Sequence, residues 1–470
     1  MRLITVLFIC QCHLFFITTT VAQEAFFIEG YPDQTSYVAG ETVHFHLSSS
    51  EPFSTMEIFR LGEEEVLKWS SDSVAAGLYD VPEQASTHGC QWPVAHSLTI
   101  PDDWQSGYYE VRLRITDRGG QFTQRNSRIA ESKMFFVVRS SRPGSDTKIL
   151  LQLATNTYNA YNNWGGSSLY GYHGRAKLQG HRVSFDRPQN YSFFHRWEYD
   201  FVKWAEKEGY VLDYAVNSDL EFHPEILSQY NLVLSVGHDE YWSSPMRDHL
   251  EAFIGDGGNV AFFSGNSVCW QVRSEDNGRA LTSWKQWYNM DPQFQTGEYG
   301  ELSTLWSHHL INRPENQLTG VGFLYGGYHL SHGQFMDGSG AYKVHRPDHW
   351  LFAGTGIKQD EEFGGKNTIV GYECDGCEMT MVNGLPEPTH RDGTPENFVI
   401  LATAPARWHP DDCEWYDEWE KNRLGAAVVG TYTRNGTVVT VGSTDWAHGL
   451  RGDDPVVERI TKNVIDRLSK

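Results

Sequence analysis

The chain has little cysteine, seven residues in 470. Cys10 and Cys12 fall in an apolar N-terminal run, which leaves five, too few for a small disulfide-stapled scaffold. Basic residues are scarce as well, 38 Lys and Arg against 60 Asp and Glu, for a formal charge of −22. A surface that negative repels phosphate backbones and anionic lipid, so neither nucleic acid nor a membrane is an expected partner. Past the N-terminus no apolar stretch approaches membrane-spanning length, and no repeat recurs at a fixed period. What abounds is aromatic: 16 Trp, 23 Tyr and 25 Phe. So many large apolar rings exclude a disordered chain and demand a packed interior, and the length predicts two or three domains.

Met1 and Arg2 precede an apolar run over 3–17 and a small-residue exit ending at Ala22. This pattern predicts a signal peptide over 1–22 and a secreted, extracellular protein. Two glycosylation sequons, at Asn190 and Asn435, agree with export. Cys269 follows the apolar run 260–263 and is expected as a buried, inert thiol. Cys90, Cys374, Cys377 and Cys413 then allow three pairings. The spacing of Cys374 and Cys377 reads as a tight disulfide, half a zinc site, or two separately paired cysteines. No second CxxC completes a zinc set, so a structural disulfide is expected, with Cys374 to Cys377 the first choice.

Over 24–140 the texture is of short strands. Val43, Phe45 and Leu47 alternate with His44, His46 and Ser48, and Tyr109, Val111, Leu113 and Ile115 alternate with Glu110, Arg112 and Arg114. Period two over such lengths predicts half-buried antiparallel strands and an all-β, immunoglobulin-like sandwich. A Ser-, Pro- and Gly-bearing linker over 139–145 leads to a second domain over 146–470. There, continuous apolar runs at Ile149–Leu153, 232–236 and 259–263 suit strands buried on both faces. Trp197, Phe201 and Trp204 mark one helix stripe, and Ser244-Pro245 and Asp454-Pro455 open further helices, the last with Val457, Ile460, Val464 and Leu468 facing inward. The repetition predicts an α/β domain, a mostly parallel sheet flanked by helices. Arg434-Asn-Gly436 between two apolar runs predicts a hairpin.

In open parallel sheets ligands gather at the carboxyl ends of strands. The segments leaving those ends here are 156–166, rich in Asn and Tyr, and 237–243, Gly-His-Asp-Glu-Tyr-Trp-Ser. Four hydrogen-bonding or ionisable side chains in a row are costly as turn filler. The turn after 259–263 has an asparagine at its apex, with Cys269 arriving too late to serve as the nucleophile of a cysteine glutaminase.

From about Thr147 to Ser469 the chain resembles the C-terminal domain of the large subunit of N,N-dimethylformamidase and its relatives. The residues that carry the resemblance lie at 156–166, 183–188, 237–243, 257–265, 297–300 and 454–469. It implies a glutamine-amidotransferase-like fold. It also implies a mononuclear ferric ion held by two tyrosines and a glutamate, and hydrolysis of a C–N amide bond in a small substrate. A free tyrosine has a pKa near ~10, so a phenolate at neutral pH needs a strongly Lewis-acidic partner, and ferric iron prefers hard oxygen donors. Carried onto this sequence, Tyr241 is one tyrosine, Tyr199 the second, and Glu298 the carboxylate, with Glu301 as its alternative. For proton transfer, His238 can act as base or bind the amide, and Asp445 and His448 are the other catalytic candidates. The resemblance places a second glutamate in the final hairpin, where this chain reads Tyr432-Thr433-Arg434. It further implies an accessory subunit or a homo-oligomer. The alternative reading is a non-catalytic secreted binding or structural protein that keeps the fold.

Overall fold

The computed structural model describes residues 25–117, 128–173, 177–189, 193–331, 334–335, 339–408 and 424–470. The expected signal peptide, the Asn190 sequon and Cys413 lie outside them. Among the described residues no helix is long and apolar enough to cross a membrane.

The N-terminal part is two sheets face to face. Five strands run in the order Ser36–Val38, Arg128–Arg139, Gly107–Asp117, Phe53–Leu61, Glu65–Ala75, and three in the order Ile28–Pro32, Thr42–Ser49, Val94–Thr99. Val43, Phe45 and Leu47 from one sheet meet Tyr109, Val111, Leu113 and Ile115 from the other in a common core, all buried. The alternate positions are not uniformly wet. Tyr108, Phe135 and Val137 are buried on the outer face of the larger sheet, because the second half of the chain packs there. Tyr108 stacks on Phe194 with ring centroids 3.8 Å apart, and the Glu110 carboxylate lies 2.6 Å from His195 Nε2.

The second half is built on a nine-stranded sheet. Its order is Asp213–Val216, Ile149–Leu153, Leu232–His238, Asn259–Gly265, Thr437–Thr440, Leu424–Thr433, Val399–Arg407, Tyr342–Val344, Glu362–Phe363. The first five strands are parallel, and the remaining pairings are antiparallel. This corrects the expected amidotransferase-like α/β domain, a mostly parallel sheet flanked by helices. The sheet is mixed, smaller sheets accompany it, and strand outweighs helix, 38% against 23%. The reason lies in the connections. A parallel neighbour needs a crossover of a dozen or more residues. The helix Ser244–Gly255 supplies one between Leu232–His238 and Asn259–Gly265, whereas the tight turn at Arg434 joins Leu424–Thr433 directly to Thr437–Thr440.

Local signals set several elements. Ser243, one residue before the expected cap, accepts from the Met246 N–H at the head of its helix. Asp454 accepts from Val456 and Val457, and Pro455 begins the last helix, Pro455–Leu468. That helix buries Val457, Ile460, Val464 and Leu468.

The thiols correct the disulfide expectation. Cys90, Cys269, Cys374 and Cys377 are all free and buried. Cys374 begins a strand, Cys374–Gly376, so three extended residues separate it from Cys377 by roughly 10 Å, beyond the ~7 Å reach of a disulfide. The two side chains also enter different cores. Asn435 stands exposed in the hairpin turn, its side chain bonded to the Gly255 carbonyl.

Candidate functional site

Five segments meet near the carboxyl end of the strand Leu232–His238. The strand Leu232–His238 ends through Gly237, at φ +81°, where a Cβ would come within 2.4 Å of the Trp197 Cβ. Only glycine lets the chain turn there against that indole. The turn delivers His238, Glu240 and Tyr241, all buried. Asp239 folds back instead, held by Ser235 at 2.9 Å and Asn217 at 3.3 Å.

His238 lies between two carboxylates. Its Nε2 is 3.0 Å from Glu373 Oε2 and 3.4 Å from Glu240 Oε2. Burial opposes a charge on the ring, but Glu373 and then Glu240 outweigh it and push His238 up to about 9. At neutral pH the ring is therefore a donor. Nδ1 is buried with no hydrogen-bond partner.

Around Glu240 gathers a cluster of oxygens. The Tyr170 hydroxyl donates to Glu240, 2.9 Å from Oε1 and 3.1 Å from Oε2, and the Tyr241 hydroxyl donates to Tyr170 at 2.7 Å. Trp270 Nε1 reaches Glu240 Oε1 at 2.7 Å. Lys285, also buried, donates from Nζ to Tyr241 Oη at 2.8 Å and lies over the Tyr170 and Trp270 rings at 3.4 and 4.4 Å. Burial lowers the Lys285 ammonium to about 7, against the pull of Glu240. Burial likewise raises both phenols well above their ordinary value, with Glu240 adding to it, so a strong added cation is needed to ionise them.

Asn266 and Glu373 complete the constellation. Asn266 follows the strand Asn259–Gly265 and donates from Nδ2 to Glu373 Oε2 at 3.2 Å. The segment bearing Glu373 is fastened to the turn after Thr437–Thr440. Thr444 donates its N–H to the Glu373 carbonyl at 3.1 Å, and Asp445 Oδ2 accepts from Tyr372 N–H at 3.0 Å. A cavity of about 70 Å³ opens among these groups, with Tyr170, Glu240, Asn266, Lys285 and Glu373 in its wall. That is space for about two waters at liquid density. A larger cavity, of about 320 Å³, lies under Glu110 and Trp164 at the junction with the sandwich sheets, away from this cluster.

The sequence-derived candidates separate in the structure. Tyr241 and His238 lie in the cluster. Tyr199 does not: its ring stacks on Phe194 at 5.4 Å beneath Lys203, near the junction, and it shares no hydrogen bond or ring contact with Tyr241. Glu298 and Glu301 are exposed. Asp445 braces rather than faces the cavity, with Oδ1 accepting from Trp197 Nε1 at 3.2 Å. His448 stands half-buried 4.0 Å from Asp445. Five residues escaped sequence reasoning: Tyr170, Glu240, Asn266, Lys285 and Glu373. Glu240 sat inside the polar strand-end run and Asn266 at the noted turn apex. No local signal marked Tyr170, Lys285 or Glu373.

The model of the N,N-dimethylformamidase beta subunit-like, C-terminal family matches residues 55–461. The chain belongs to this family. Among curated family relatives it is 24% identical to the N,N-dimethylformamidase beta subunit of Paracoccus aminophilus, over 81% of this chain and 55% of that one. It is 23% identical to the beta subunit from an Alcaligenes species, over 86% and 58%. The chain thus spans somewhat over half the length of these relatives. Among solved structures, a ThuA-like protein from Parabacteroides merdae aligns at 11% identity over 69% of this chain and 92% of that one. Its TM-score is 0.24.

Two tyrosines and a glutamate are the donor set that the family resemblance implies for a ferric ion. The expected trio of Tyr199, Tyr241 and Glu298 is not assembled, but Tyr170, Tyr241 and Glu240 bring the same chemistry together within hydrogen-bonding distance. By donor type they fit a hard trivalent cation. Among the described residues no group of three or more His, Cys, Asp and Glu is arranged to hold a metal.

Proposed function

We propose that this chain is a hydrolase that cleaves the C–N bond of a small amide in the aromatic-walled cavity, with a hard metal ion held by Tyr170, Tyr241 and Glu240. The reading rests on one observation above all, the convergence of two buried phenols and a carboxylate beside the His238–Glu373 pair. When bound, such an ion supplies Lewis acidity for the carbonyl and for water. Glu373 lines the cavity and takes the role of proton acceptor from water, since His238 and Asn266 both donate to its Oε2 and fix its orientation. His238 holds that carboxylate in place and does not compete for the proton. Lys285 steadies the Tyr241 oxygen and balances Glu240. The description of the relatives as beta subunits supports a second chain in the working assembly, and the apolar N-terminal run supports export.

Elemental analysis, visible absorption and a small-amide panel on the purified protein test this reading. Near-stoichiometric metal and a phenolate charge-transfer band are expected, both lost in Tyr170→Phe and Tyr241→Phe and both kept in Tyr199→Phe and Glu298→Gln. Glu373→Gln should retain the metal and lose turnover. A protein that neither retains a metal nor hydrolyses any amide refutes the proposal.

A further inference from the structure

The junction cavity of about 320 Å³ has a chemistry of its own. Sandwich strands form its floor, with Glu29, Lys133 and Phe135, and two segments of the second half form its roof, with Trp164 and Pro188. The roof is fixed in place. Asn162 Nδ2 donates to the Pro188 carbonyl at 2.9 Å, and the buried Arg187 donates to the carbonyls of Trp164 at 2.6 Å and Asn162 at 2.8 Å. The space is thus preformed, and its volume falls in the range of small-molecule sites. At one end the charges cancel: Glu110 and Glu65 are matched by Lys133 and Arg112 at 2.6 to 2.9 Å. Glu29 is left over. Its Oε1 accepts from Trp164 Nε1 at 3.0 Å, a neutral donor, and among the described residues it enters no ion pair. Its Oε2 has no hydrogen-bond partner there and is open rather than sealed in protein. Trp164 meets Trp92 at right angles with centroids 5.8 Å apart, and among the described residues no ring stacks flat on it. A carboxylate oxygen only accepts, and an indole face attracts a cation.

We propose that this junction cavity binds a small primary ammonium ion with an apolar body, its N–H donated to Glu29 Oε2 beside the Trp164 ring and its body lying against Phe135 and Pro188. A bare metal ion would find one free carboxylate where it needs several oxygen ligands. An anion would meet the unmatched charge of Glu29 on a chain of net charge −22. The volume equals about ten waters at liquid density, which limits the ligand to about ten non-hydrogen atoms. Occupancy of this cavity does not depend on any reaction in the smaller one.

Benzylammonium and benzyl alcohol have nearly the same shape and differ in charge. Isothermal titration of the full chain at neutral pH and low salt should show one benzylammonium bound, with benzyl alcohol weaker by about tenfold or more. Glu29→Gln keeps an acceptor for Trp164 Nε1 and removes the charge. It should weaken benzylammonium by about tenfold or more and leave benzyl alcohol within about twofold, with an unchanged denaturation midpoint showing that the variant is folded. The comparison of the two ligands on the unmodified protein stands even if the variant is destabilised. Three results each overturn the inference: no benzylammonium bound at about 10 mM, equal affinity for the alcohol, or binding that the folded Glu29→Gln variant retains in full. The last would place the cation elsewhere, beside Glu240 for instance.

Discussion

Glu110 offers the clearest test of how the two halves of the chain are joined. The residue is 1% exposed and faces Arg112 Nε at 2.7 Å, Lys133 Nζ at 2.9 Å and His195 Nε2 at 2.6 Å. Burial raises its carboxyl, but hydrogen bonds from His195, Lys133 and Arg112 prevail and take it from 4.5 down to about 2. A folded-state value below the unfolded one stabilises above pH 4.5, and the stabilisation is lost as pH falls from about 4.5 toward 2. At 1.36 kcal/mol per pH unit the full effect is about 3 kcal/mol. About 1 kcal/mol of it persists at pH 3, where the folded carboxyl is still ionised and the unfolded one is not. Glu110→Gln keeps the volume and removes the charge. In urea denaturation followed by tryptophan fluorescence, the variant should be less stable by about 3 kcal/mol at pH 7 and by about 1 kcal/mol at pH 3. A gap under 1 kcal/mol at pH 7, or one that does not shrink in acid, would refute the reasoning.

Gly237→Ala forces a Cβ to within 2.4 Å of Trp197 at φ +81° and should cost about 2–3 kcal/mol in denaturant stability; an unchanged midpoint would contradict the packing described. Asp454→Ala removes the acceptor for two helix N–H groups and should cost about 1 kcal/mol, with Asp454→Ser restoring most of it. Cys90, Cys269, Cys374 and Cys377 should resist alkylation in the native protein and all label after unfolding without reductant, since each is a buried thiol. Peptide mapping that finds Cys374 bonded to Cys377 would overturn that expectation.

Much of this was legible where one element buries one face. The stripe of Val457, Ile460, Val464 and Leu468 and the alternation of Val43, Phe45 and Leu47 each report a single contact surface, and their residues are buried as read. Glu110 was not legible. Its alternation marks it as solvent-facing, yet the outer face of its sheet is covered by residues such as Phe194 and His195, about 85 positions away. Strand direction was hidden for a similar reason. An apolar run fits a parallel or an antiparallel neighbour equally well, and only the connection decides. In the site, His238 and Tyr241 share a strand end and could be found by eye. Glu373, Asn266 and Tyr170 come from three other segments, and no periodicity links residues whose only relation is tertiary.

Asp445 shows why a carboxylate at a strand end need not react. Its Oδ2 is committed to the Tyr372 N–H, and its Oδ1 takes both Trp197 Nε1 and Thr444 Oγ1. These bonds fix two rings, Trp197 and Tyr372, whose centroids stand 5.1 and 5.8 Å from that of His238. Tyr372 is also the neighbour of Glu373 in the chain. One side chain after the strand Thr437–Thr440 therefore sets the walls around His238 and the approach of the segment that carries its partner. The fit is close enough that a Cβ at Gly371 would lie 1.7 Å from Asp445 Oδ2. The residues on either side of the His238–Glu373 contact are thus held by a carboxylate that hydrogen-bonds to neither His238 nor Glu373, supplied from far along the sequence.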